Sequence, residues 1–156
     1  SLYSNGFQAL KLEKINVGDI INNILKSSQV DIDEKKLIIN KSTESGWINA
    51  DKNYIVKCIR IIISNTTHHS PENGKIFISG KMVENFYTIN VKDEGNGFPD
   101  LIIKNGIKPF ISPEHTNRNP GLDLYLCKLI VNAHKGSISI KNDNGGMVIV
   151  KIPNKL

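Results

Sequence analysis

The sequence predicts an α+β domain, a two-layer sandwich in which a mixed, mostly antiparallel sheet carries helices on one face. Three observations predict it. Strand-like runs at 75–82 and 85–93, and again at 137–142 and 145–153, come in pairs joined by short turns, the pattern of hairpins. Helical patterns precede, separate and follow these runs, and each has one apolar stripe to bury. The chain has 156 residues, 39% hydrophobic and 22% charged, which suits a single core.

In chain order, "FQALKLEKINV" reads as the tail of a helix followed by a linker, so residues 1–14 are set apart from a domain at 15–156. The opening does not look like a natural start, and the expectation is a piece of a longer protein. "VGDIINNILKSSQ" spaces Val17, Ile20, Ile21, Ile24 and Leu25 as one face of a helix. "KLIINKS" reads as a short strand. "DKNYIVKCIRIIISNTTHHS" reads as a second helix with Asp51 as its N-cap and Tyr54, Ile55, Cys58, Ile59 and Ile62 as its stripe. Pro71 and Gly74 end it. The first hairpin turns at "VEN".

From 94 to 120 glycines, prolines and polar residues dominate, and only "DLIIK" has the makings of a helical turn. A loop of this length inside a compact domain is expected to be either functional or disordered. "GLDLYLCKLIVNAHKG" restores helical order, with Leu122, Tyr125, Leu126, Leu129, Ile130 and Ala133 inward and Gly136 as the expected C′ glycine. The second hairpin turns at "NDNGG". There is no internal repeat.

Several function classes are disfavoured. No apolar run is long enough to span a membrane. The formal charge is +5, but the lysines are scattered along the chain without interleaved aromatics, so nucleic acid is not an expected partner. Cys58 and Cys127 lie in helical apolar patterns without CxxC spacing and read as buried free thiols rather than zinc ligands.

Three residues stand out chemically. Strand alternation points Tyr87, Ile89 and Val91 to one face, and two residues further the same face reaches Asp93. A carboxylate on the core side needs partners, either its own turn amides or a ligand. Gly95 and Gly97 behind it permit close backbone approach. Asn65, four residues after Ile61, extends the buried side of its helix and offers a neutral oxygen to a hard cation, or else caps a fraying turn. Gly121 opens the last helix, where free amides suit phosphate. Of the histidines, His68 and His69 are adjacent and diverge on a helix, so they do not chelate one metal. His134 sits near a helix C-terminus, a structural position. His115 falls in the long loop. Neither "GNG" nor "NPGLD" matches the Walker or Rossmann phosphate patterns.

The order of these elements resembles the catalytic ATP-binding domain of sensor histidine kinases, in the superfamily that includes DNA gyrase and the MutL repair proteins. The resemblance covers about residues 15–154 and implies a Bergerat-type fold. "SNTTHHSPENGKI" resembles the N box, which makes Asn65 the implied Mg²⁺ ligand. It puts His68 where a basic residue nears the phosphates and His69 where an aromatic lines the nucleotide site. "DEGNGF" resembles the G1 box, with Asp93 as the implied reader of the adenine amine and Gly95 and Gly97 as its close-approach glycines. "KPF" resembles the F box, with Phe110 anchoring the lid. "NPGLDL" resembles the G2 box, with Gly121 and Leu122 beside the phosphates.

The resemblance implies ATP and Mg²⁺ as ligands. It implies a dimerisation domain carrying the phosphoacceptor histidine outside this chain, a response-regulator receiver domain as partner, and a homodimeric parent. It also implies a cytoplasmic place for this domain, in a parent of the kind a membrane anchor can hold. The sequence departs from the family pattern at Ile61, where a second asparagine is usual, and at Asn119 and Asp123, where the G2 box has glycines. An aspartate near a triphosphate adds repulsion on the order of 1 kcal/mol. The alternative expectation is a degenerate, non-catalytic relative that serves as an interaction module.

Overall fold

The computed structural model describes residues 9–109 and 120–155, with backbone alone at 120–123. Seven strands and five helices are assigned among them, in the order β1(Leu12–Asn16), α1(Val17–Ser27), α2(Gln29–Glu34), β2(Ile38–Thr43), β3(Trp47–Asp51), α3(Lys52–His69), β4(Lys75–Val83), β5(Phe86–Lys92), α4(Asp100–Asn105), α5(Pro120–Ala133), β6(Ser137–Asn142) and β7(Gly146–Pro153). Five strands form one sheet in the order β2-β4-β5-β7-β6, and β1 pairs with β3 in a smaller one. Only β2 and β4 run parallel in the larger sheet; its other pairs are antiparallel. The expected α+β sandwich is what the chain forms.

Both hairpins lie where the turn signals put them. Glu84 and Asn144 take positive φ in the two turns. The inward faces of β4, β5 and β7 carry Ile76, Ile78, Tyr87, Ile89, Val91, Val148, Val150 and Ile152, all buried. Against them pack Ile20, Ile21 and Ile24 of α1, Ile55, Cys58, Ile59 and Ile62 of α3, and Cys127, Ile130 and Val131 of α5. Both cysteines are free and buried, as expected. No helix among the described residues is long and apolar enough to cross a membrane.

Caps fix the helix entries. Asn16 accepts the Gly18 N–H at 3.1 Å to start α1. Asp51 is the N-cap of α3, accepting the Tyr54 N–H at 3.2 Å. Its second oxygen accepts the Lys11 N–H at 2.9 Å, and its own N–H donates to His134 Nε2 at 3.0 Å. The buried His134 ring is therefore the Nδ1–H tautomer, with Nδ1 2.8 Å from the Ile130 carbonyl oxygen. It ties the start of α3 to the end of α5, the structural role its position suggested.

Two local expectations change, and two short elements are added. Residues 12–14, assigned to a linker, belong to β1, because β3 supplies a partner through the register Leu12↔Asp51 to Asn16↔Trp47. α2 and β3 themselves are short and had no strong periodic signal. Finally, the left-handed residue that ends α5 is Lys135 (φ 60), not Gly136. The Lys135 and Gly136 amides donate to the Asn132 and Val131 carbonyls, both at 2.9 Å, which closes a Schellman motif. Gly136 is needed for a different reason, since a Cβ there would collide with the Lys151 carbonyl of β7.

Candidate functional site

The site forms where β5 ends. Alternation along β5 does place Asp93 on the inner face, 6% exposed. Its two carboxylate oxygens have different surroundings. Oδ1 accepts the Gly95 N–H at 2.8 Å and the Gly146 N–H at 3.1 Å. Oδ2 makes no hydrogen bond to the described residues, and Asp93 lines a cavity of about 420 Å³. The turn-amide reading of Asp93 is met by Oδ1, and Oδ2 is left without a protein partner among the described residues.

The opposite wall is the last turns of α3. Asn65, Thr66 and His69 line the cavity there. Asn65 Nδ2 is buried without a hydrogen-bond partner among the described residues. Rotating that amide by half a turn exchanges its oxygen and nitrogen, so the unpartnered end can present a donor or an acceptor. His68 is not part of the wall. Its ring meets that of His69 edge to face, centroids 5.3 Å apart, so the two rings stay closer than their adjacency on a helix suggested.

Glycines bring the walls together. A Cβ on Gly95 would collide with the His69 carbonyl, so Gly95 seats the turn against the end of α3. Gly97 takes φ 81, and a Cβ there would lie 2.7 Å from Asn142 Oδ1. Asn142 in turn clamps the turn. Its Oδ1 accepts the Phe98 N–H at 2.7 Å and its Nδ2 donates to the Phe98 carbonyl at 3.0 Å.

Gly145 (φ 137) and Gly146 bring the second hairpin under Asp93, where a Cβ on Gly145 would collide with the Asp93 carbonyl. The sequence reading had treated "NDNGG" only as a turn. Two consecutive glycines at a hairpin end were the available signal, and Asn142 had none.

The remaining walls are largely apolar: Phe98, Leu101, Ile102, Ile107, Leu124 and Val148. Ile107 is held by the Lys128 ammonium, which donates to its carbonyl at 3.2 Å. Such a cavity, large enough for a small molecule and lined by apolar groups with a few convergent polar ones, suits a heteroaromatic ring. Gly121 and Leu122 fall in the first turn of α5, and Leu124, at the start of the next turn, lines the cavity. Phe110, the expected lid anchor, lies outside the described residues, as do His115 and Asn119. Ile61 is half-buried against the core rather than in the cavity wall.

One residue that sequence reasoning missed supports the α3 wall. The Lys35 ammonium donates to the carbonyls of Thr67 at 3.0 Å, His68 at 2.6 Å and Ser70 at 2.9 Å. A cation on the last carbonyls of a helix satisfies orphan acceptors and complements the dipole.

Among the described residues no group of three or more His, Cys, Asp or Glu could hold a metal ion. Mg²⁺ of the kind that takes one or two protein oxygens and completes its shell with phosphate and water needs no such group. Asn65, with its unpartnered buried amide, is the group here that fits such an ion.

The carboxylate-floored, largely apolar cavity thus lies between one sheet end and two helices of an α+β sandwich. Residues 50–156 match the family of histidine kinase-, DNA gyrase B- and HSP90-like ATPases, and the chain belongs to it. It is 32% identical to sporulation kinase C of Bacillus subtilis over 132 residues, covering 80% of this chain and 30% of that protein. It is 25% identical to the sensor histidine kinase SpaK of Bacillus subtilis, covering 92% of this chain and 33% of that protein. The chain therefore spans about a third of these relatives. Its fold matches a nucleotide-free structure of the catalytic domain of histidine kinase ThkA with a TM-score of 0.84 and 23% identity, over 94% of this chain and 97% of that one.

Proposed function

We propose that this chain is the ATP-binding catalytic domain of a sensor histidine kinase. It would hold Mg–ATP and present the γ-phosphate to a histidine on a dimerisation domain outside this chain, for onward transfer to a response-regulator receiver domain. The parent is proposed to be a homodimer, with this domain in the cytoplasm. The observation that carries the reading is the divided carboxylate of Asp93, with Oδ1 fixed by two backbone amides and Oδ2 left to the cavity. An acceptor immobilised in this way suits the exocyclic amine of adenine.

Each neighbouring group has a task in this reading. The walls of Ile102, Ile107, Leu124 and Val148 enclose the base and exclude water, which strengthens the single polar contact at Asp93. Gly97 keeps the turn thin beside the base. Asn65 is the residue that would hold Mg²⁺, and His69 lines the same wall. The ion supplies charge neutralisation on the phosphates. The first turn of α5, at Gly121 and Leu122, offers backbone amides to the phosphates. Phe110 retains its assignment as lid anchor. Catalysis by such a domain is positioning and charge stabilisation, not covalent chemistry.

Ile61 favours a second reading. Its side chain packs against the core where the family pattern has another polar N-box residue, and Asp123 stands in sequence where the G2 box has a glycine. A non-catalytic relative with weak or no ATP binding would look like this. Calorimetric titration with Mg–ATP separates the two. Saturable binding in the micromolar range supports the kinase reading; no heat at millimolar nucleotide supports the second.

A further inference from the structure

The lysines that are scattered along the sequence assemble in the fold. The helices cover one face of the five-stranded sheet and leave the other open to solvent. Alternation sends Lys81 of β4, Lys92 of β5, Lys151 of β7 and Lys141 of β6 to that open face. Lys75 at the start of β4 joins them. No Asp or Glu occupies an outward position on any of the five strands; the rest are Ser, Thr, Asn or apolar. None of these lysines forms an ion pair among the described residues. Lys92 lies over the Phe77 ring, 5.3 Å to its centroid. Glu94, just past the end of β5, is engaged by the Lys75 N–H at 2.7 Å.

The registers arrange the charges in two rows across the strands. Lys92 and Lys141 flank Met147 in one, and Lys81 and Lys151 flank Thr88 in the other. Between them runs a neutral row that includes Ser79, Asn90 and Ser139. Four residues of strand separate the charged rows, roughly 13 Å at the usual rise. That is close to the ~10–12 Å width of one polypeptide helix.

We propose that the open sheet face binds an acidic segment of a partner protein, laid across the strands with its carboxylates over the two lysine rows and polar side chains over the neutral row. Charge complementarity selects a polyanion. The twist of the sheet, roughly 20–25° per strand, rotates β4 against β6 and suits a narrow segment better than a planar bilayer. Single-stranded nucleic acid needs successive aromatic platforms, and the lysine rows hold one aromatic, Phe77, already covered by Lys92.

The test is fluorescence anisotropy of a labelled polyglutamate peptide against the whole chain at low and physiological salt. Lys81→Glu/Lys151→Glu should weaken binding about tenfold or more. Lys26→Glu/Lys57→Glu, the same charge change on the helical side, should leave it nearly unchanged. Thermal melts check that both variants are folded, and Lys81→Ser/Lys151→Ser replaces the first pair if it is not. Equal losses from the two pairs would reduce the effect to net charge and overturn the proposal, as would no binding by the unmodified chain. Tighter binding of oligothymidylate or phosphatidylserine vesicles through Lys81 and Lys151 would also overturn it, by assigning the face to another class of partner.

Discussion

Asp93 and Gly146, 53 positions apart, bond to each other twice: the Asp93 N–H donates to the Gly146 carbonyl at 3.0 Å and the Gly146 N–H donates to Asp93 Oδ1 at 3.1 Å. The hairpin β6–β7 thereby sets the orientation of the carboxylate, and Oδ2 is aimed by backbone rather than by a rotamer choice. Asp93→Asn separates structure from recognition. The amide oxygen can keep both backbone bonds, while an NH₂ replaces Oδ2 and would face the adenine amine of the proposed ligand donor to donor. The expected outcome is a melting temperature within a few degrees of the parent and a loss of ATP affinity of at least about a hundredfold, the scale of an unpaired buried polar group. Asp93→Ala should in addition lower stability by about 1–3 kcal/mol, because two buried amides lose their acceptor. Calorimetry and urea unfolding read the two effects.

Asn142 acts on the site through Phe98, which lines it. Asn142→Ala removes two hydrogen bonds at an exposed position, so the expected stability loss is about 0.5–1.5 kcal/mol. Freed of its clamp, the turn around Phe98 should exchange its amide protons faster, and ATP should bind several-fold more weakly. Hydrogen exchange localised to residues 95–98 checks the first. Faster exchange there with unchanged ATP affinity would confine Asn142 to holding the turn.

Lys35 should matter more than an ordinary surface lysine. Its ammonium serves three carbonyls at the end of α3, the turn that also carries Asn65 and His69. Lys35→Met keeps the aliphatic stem and deletes the donors. The expected cost is about 1–2 kcal/mol, a partly exposed group being discounted for screening. In a domain of this size that lowers the melting temperature by roughly 3–8 °C. Scanning calorimetry checks it.

Tyr87 gives the fold a high-pH limit. Its ring is fully buried beneath Gly46 and Gly80, and its hydroxyl donates to the Glu44 carbonyl at 2.6 Å. Burial, with a smaller contribution from the Glu44 charge, pushes the phenol up from 10.0 to about 12. The folded chain therefore holds this proton where the unfolded chain releases it. The stability tied to Tyr87 is complete below about pH 10 and is lost as pH rises towards 12. Urea midpoints measured from pH 8 upward should fall above pH 10, and Tyr87→Phe should flatten that part of the fall.

What could be read from sequence was what local periodicity encodes. Period two placed Asp93 on the inner face, and the helical repeat placed Asn65 on the inner side of α3. The Asp51 cap followed from its position before the helix. What escaped was set by partners distant in sequence. "LEKIN" becomes β1 only because β3 pairs with it, and Gly145 and Gly146 join the site only because β7 pairs with β5. The Lys35 contacts arise where α2 passes the end of α3. At Lys135 and Gly136 the sequence marked the helix end correctly but could not say which residue turned left-handed. The glycine itself is required by the Lys151 carbonyl, which leaves no room for a Cβ at 136.

Asn65 offers the sharpest division between fold and function. Its buried Nδ2 has no partner among the described residues, a condition that costs about 1–3 kcal/mol in a protein interior. A residue kept for packing alone would be better served by an apolar side chain of the same size. Asn65→Leu should therefore leave the folded chain as stable as the parent, or more stable, in urea unfolding. If Asn65 holds Mg²⁺ against the phosphates, the same substitution should remove most of the difference between ATP affinity measured with Mg²⁺ and with EDTA. ATP binding in EDTA should change little, because Asp93 and the apolar walls remain. A variant that is more stable and still binds Mg–ATP better than ATP alone would free Asn65 of the metal role and pass it to another oxygen.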